Sequence, residues 1–119
     1  MRLRDLDAEF CGDATERGFR RRDEIAGAQG IMFQCPKCAE GKERGEEGGR
    51  RFVRGAHYIL CWFSNPREAP TIPAEWYKGI ARWEMTGTSL DDVTLRPSIL
   101  VQGPGCGFHG FITNGDVHL

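Results

Sequence analysis

The chain has no long apolar run. No stretch approaches the ~20 residues that a membrane-spanning helix needs. Met1 to Phe10 is charged and lacks the apolar centre of a secretory leader. The expected location is therefore the cytoplasm of a bacterium, or of something that replicates in one. Charge of one sign is equally scarce. Sixteen Lys and Arg face seventeen Asp and Glu, a net charge of −1. No basic field draws the protein to nucleic acid or to acidic lipid. Internal repeats, heptads and the HExxH helix of familiar zinc proteases are missing too. Apolar residues are only 39% of the chain, so 119 residues build one modest core and no second one.

Glycine and cysteine are plentiful: sixteen and five residues. A glycine-rich chain with a small core gains from a metal clip. In a reducing compartment, five cysteines read as ligands and buried thiols before disulfides. Cys35-Pro36-Lys37-Cys38 is a CxxC knuckle, its turn stiffened by proline. Cys106-Gly107-Phe108-His109 offers a second half-site at the same spacing. Three thiolates and an imidazole make a tetrahedral zinc set, so Cys35, Cys38, Cys106 and His109 are the expected metal ligands. An iron–sulfur cluster or a reduced dithiol are the alternatives. The distance between half-sites suits a clip within a β domain, not a DNA-reading finger.

Cys11 and Cys61 remain, and Cys61 reads as a small buried apolar residue. His57 and Cys61 share a strand face but sit roughly 13 Å apart by strand rise, too far for one ion. His57 has three readings: a ligand in place of one of the four, a general acid or base, or a structural histidine. Glu84 and Asp92, beside Asp91, are candidate carboxylate bases that read more simply as solvated charges. Ser98 has no nucleophile-elbow context and reads as structural. Arg20-Arg21-Arg22 is diluted by neighbouring acids and reads as a solvated face.

The element pattern is mainly β, with a small α+β arrangement as its alternative: one zinc-clipped antiparallel β domain with long loops. Residues 1–29 form an N-terminal strand and loop packed on a zinc-binding β domain of residues 30–119. Arg2 to Phe10 alternates and predicts a strand, with Leu6, Ala8 and Phe10 on one side. Gly12 to Gln29 and Ala39 to Gly55 read as loops. Gly30 to Gln34 is a short strand. Ala56 to Phe63, apolar on both faces, predicts a central buried strand. Ala74 to Met85 ends in a strand. Val93 to Val101 is a strand interrupted at Pro97, and Asn114-Gly115 predicts a hairpin turn.

Gln34 to Cys38, His57, Trp83, Thr94 to Leu100 and His109 to Gly115 together resemble a family. It is the group of small phage and prophage zinc-binding-like proteins numbered 6527 among the domains of unknown function. The resemblance covers residues 30 to 117. Two features depart from its pattern: a longer loop between Cys38 and His57, and two residues between Cys106 and His109, which that pattern has adjacent. The resemblance implies a bound zinc; beside it, the expected location is a bacterium, an infected host or a virion, and the expected partner is another protein. Charge balance and the lack of apolar runs point away from membrane and nucleic acid. Relatives of the family accompany bacterial ubiquitin-like conjugation operons, where a zinc-peptidase role has been suggested. The function expected from the sequence is thus an accessory or protein-interaction module with a structural zinc. The alternative is a zinc-dependent, peptidase-like hydrolase with an open metal position and His57 or a carboxylate as base.

Overall fold

The computed structural model describes residues 1–15, 17–67, 80–101 and 106–119. It is mainly β. One sheet holds β1 (Glu9–Thr15), β2 (Gly18–Arg22), β3 (Gly30–Gln34) and β6 (Tyr58–Trp62), in the order β2-β1-β3-β6. The other holds β7 (Glu84–Thr86), β8 (Thr94–Leu100), β9 (His109–Thr113) and β10 (Asp116–His118), in the order β10-β9-β8-β7. Every strand pair in both is antiparallel. A two-stranded ribbon, β4 (Arg44–Glu47) with β5 (Arg50–Val53), stands apart. One buried cluster joins Phe10, Ile31 and Phe33 of the first sheet to Leu95, Ile99 and Ile112 of the second. Among the described residues, no helix is long and apolar enough to cross a membrane.

The N-terminus departs from the expected strand. Leu3–Leu6 is a 3-10 turn, and β1 starts only at Glu9. A three-residue period stacks Leu3 on Leu6, and both are fully buried. The turn is strapped to the far sheet, since Met1 and Val117 exchange backbone bonds and the Leu3 amide donates to Gly115.

Two stretches expected to be loops are hairpins. Gly18–Arg22 pairs with β1 as an edge strand, exposed along nearly its whole length. Residues 44 to 53 form the β4–β5 ribbon, where Glu46 faces Arg51 and Glu47 faces Arg50. Strands with little buried surface carry no hydrophobic period, and charged side chains suit an open edge. Ala56 to Phe63 contains β6 as expected, but at the edge of its sheet, hydrogen-bonded to β3 alone within it. Its apolar look reflects Ile59, Cys61 and Phe63 facing the core. Residues 74–79 of the expected Ala74 to Met85 element lie outside the described residues, and its end is β7.

Pro97 does not interrupt its strand. β8 runs through it with a cis Arg96–Pro97 bond. Leu95 pairs with Ile112 and Ile99 with Gly110, so β8 advances four residues while β9 advances two. The surplus is a bulge at Arg96, Pro97 and Ser98. The β9–β10 turn matches expectation: Asn114 and Gly115 have φ of 49° and 75°, as a type I′ turn requires.

Candidate metal centre and a serine–histidine pair

Three elements deliver one cluster of donors. Cys35 directly follows β3 and is the N-cap residue of the single helical turn α1 (Pro36–Ala39), which returns Cys38 beside it. β3 pairs with β6 up to Gln34 opposite Tyr58, so the next step sets Cys35 against His57. There the Cys35 amide donates to the His57 carbonyl at 2.8 Å. Cys106 arrives from the second sheet, just before β9. Its Sγ lies 3.5 Å from Cys35 Sγ and 3.3 Å from His57 Nε2.

The ligand atoms of Cys35, Cys38, His57 and Cys106 all lie within 4.8 Å of one another. Zinc–sulfur bonds of about 2.3 Å in a tetrahedron set sulfurs roughly 3.8 Å apart. The donor set and its spacing therefore fit one tetrahedral ion of that size. The His57 ring lowers the Cys106 thiol to about 6, whereas burial pushes Cys35 up to about 12. Cys11 and Cys61 are pushed up to about 12 by burial, which makes them inert core thiols.

Of the expected ligands, Cys35, Cys38 and Cys106 come together. His109 is not in the group, and His57 is its histidine. The reason is strand alternation. Gly110 and Ile112 face the core, so His109 and Phe111 face outward. Gly110 is confined to glycine, since a Cβ there would sit 2.5 Å from the His118 carbonyl oxygen.

His109 meets a different partner. Its Nε2 lies 3.0 Å from Ser98 Oγ. The bulge of β8 carries Ser98 to the outer face, and the Trp83 indole N–H donates to the Ser98 carbonyl at 3.2 Å. The imidazole also stacks on Phe111, ring centres 6.3 Å apart. A hydroxyl within reach of an imidazole nitrogen is the arrangement of an activated nucleophile and its base. Glu84 and Asp92 are not part of it. Glu84 is exposed on β7 opposite Arg96. Asp92 binds Thr88 and Ser89 in a turn.

Ser98, read from the sequence as structural, is the residue that the structure sets against His109. The signal was the β8–β9 hairpin: outward alternation on both strands places Ser98 and His109 on one face. The bulge that closes the gap left no mark except Pro97.

The class is thus a small antiparallel β protein with a three-cysteine, one-histidine cluster and an exposed serine–histidine pair. Residues 55–119, more than half of the chain, match the family model described as bacterial ubiquitination-like system serine protease (BubE), and the chain belongs to that family. The matched stretch contains His57, Ser98, Cys106 and His109, and begins after the Cys35–Cys38 knuckle. Searches of the curated proteins and of the solved structures return no match.

Proposed function

We propose that the chain is a serine peptidase of a ubiquitin-like conjugation system, with a zinc ion in Cys35, Cys38, His57 and Cys106 as a structural clip. The observation that carries this reading is the 3.0 Å contact between His109 Nε2 and Ser98 Oγ in a chain of a family described as serine proteases. Ser98 Oγ attacks the scissile carbonyl carbon while His109 Nε2 takes its proton. His109 then gives that proton to the leaving amine as the C–N bond breaks, leaving an ester on Ser98. Water, deprotonated by His109, cleaves the ester and restores the serine. The Trp83 bond to the Ser98 carbonyl steadies the bulge that presents the hydroxyl.

Four protein donors complete a tetrahedral shell, which supports a structural zinc over a hydrolytic one with an open position. When bound, the ion supplies cross-linking between the two sheets. His57 then serves as a ligand and not as a base.

A fluorophosphonate probe with mass-spectrometric mapping tests the assignment. Covalent modification of Ser98 is expected, and its loss in Ser98→Ala and His109→Ala proteins that stay folded. Labelling that survives both substitutions, or peptide hydrolysis independent of Ser98, rejects it.

A further inference from the structure

The serine–histidine pair shares its face with two exposed apolar side chains. On β8 the outward alternation sets Leu100 beside Ser98, and on β9 it sets Phe111 beside His109. Leu100 pairs directly across from His109. Beyond Ile99 the register breaks at the bulge, so Phe111, two residues on from His109, faces the bulged stretch that carries Ser98. Ser98, Leu100, His109 and Phe111 thus share one outer face. Leu100 is 51% exposed and Phe111 44%. Phe111 is fixed from both sides, stacked on His109 and on His118, the latter at 5.6 Å. Such a pair in the open, with a rigidly held aromatic, offers contact area at little entropic cost.

We propose that Leu100 and Phe111 are specificity-determining residues that receive an apolar side chain of the polypeptide substrate beside the scissile bond. This rests on the peptidase reading of Ser98 and His109. A chain whose carbonyl reaches Ser98 Oγ lies on this face, and the residue flanking that carbonyl meets Leu100 and Phe111. An apolar side chain there covers both residues. A charged one loses its water and gains no partner from them. Discrimination of roughly tenfold or more in the acylation rate follows for one well-covered apolar group.

The test measures the rate at which Ser98 is modified by two fluorophosphonates, one with a decyl chain and one with a polyethylene glycol chain. The expected decyl-to-glycol rate ratio is about tenfold or more in the parent protein and within about twofold in Leu100→Asn and Phe111→Asn. Phe19→Asn, at an exposed aromatic on β2 of the other sheet, is the control and keeps the parent ratio. Circular dichroism establishes that each variant is folded. A parent ratio near one, a ratio unaltered by either substitution, or an equal fall in the Phe19 control overturns the proposal. Absence of labelling by both probes rejects the peptidase reading itself, and this inference with it.

Discussion

At the scale of single residues, it is His57 and not His109 that joins the three cysteines. His109 sits three positions from Cys106, at the spacing that suits a half-site, yet the strand that starts there turns its ring outward to Ser98. His57 sits far from both half-sites in sequence and reaches Cys106 because β3 and β6 are paired. These placements predict opposite phenotypes. His57→Ala should weaken metal binding, seen as a lost or altered thiolate-to-cobalt charge-transfer band after loading with Co2+. His109→Ala should leave that band intact and abolish Ser98 labelling. A cobalt spectrum disturbed by His109→Ala and untouched by His57→Ala would reverse the assignment. Cys35 and Cys38 were legible in the sequence because thiol spacing in a tight turn is a local property. The choice of histidine was not, because it depends on register between strands.

At the scale of elements, polar contacts join pieces that the hydrophobic pattern leaves unconnected. Asp7 lies between η1 (Leu3–Leu6) and β1. It accepts from Arg50 of β5 at 2.6 Å, from Arg21 of β2 at 3.3 Å and from the Tyr58 hydroxyl of β6. Glu9, nearly buried, is held by Arg50 and Arg21 as well. The β4–β5 ribbon, read as a loop from its charged composition, is anchored through this knot. Burial pushes the Asp7 carboxyl up. The Tyr58 hydroxyl and the guanidiniums of Arg50 and Arg21 outweigh it and hold the group below its ordinary value of 3.8. A carboxyl lowered in the folded state stabilises above its unfolded value, and that contribution is lost as pH falls through the folded one. Asp7→Asn is therefore expected to lose roughly 1–2 kcal/mol at neutral pH. The gap to the parent should shrink as the pH drops below 3.8. Urea unfolding at neutral and acid pH measures both values; a gap that is constant or widens on acidification would refute the role of Asp7.

The segment that joins the metal cluster to the serine–histidine pair belongs to this scale too. Cys106 and His109 are separated by Gly107 and Phe108. The Phe108 ring is fully buried, and its carbonyl accepts from the Val101 amide at 2.8 Å. A metal bound at Cys106 thus fixes the approach to β9 and with it the ring of His109. Stripping the metal should slow Ser98 labelling by about tenfold or more, as a misplaced base would. Hydrogen exchange at residues 106 to 111 should accelerate in the same sample. Unaltered labelling in metal-free protein would separate the two sites. The hairpin turn at Asn114-Gly115 was readable because its chemistry is local. The bulge at Ser98 was not, because it expresses a mismatch between two strands.

Across the whole molecule, the cluster and the N-terminal strap tie the two sheets at separate places. Cys35 and His57 belong to the end of the β3–β6 pair, Cys106 to the entry of β9, and Met1 to the side of β10. The mainly β architecture and the long reach of the clip could be foreseen from cysteine positions and strand patterns. Which strands are edges could not, since that follows from how the two sheets assemble. Cys35 and Cys106 are 71 residues apart. By analogy with a covalent cross-link, closing such a loop removes about 4 kcal/mol of unfolded-state entropy at room temperature. Domains of this kind are stable by only about 5–15 kcal/mol, so losing the clip consumes a large share. Chelation, and Cys35→Ser independently, should therefore lower the thermal midpoint by ten degrees or more on the order-of-magnitude scaling for a chain this size. The effect should be reversed by Zn2+ in the parent after chelation, and not in the Cys35→Ser protein. Calorimetry of parent and variant, with and without metal, measures it. Equal midpoints for metal-loaded and metal-free parent would mean that hydrophobic packing and the strap at Met1 alone hold the sheets together, and that the cluster is no structural clip.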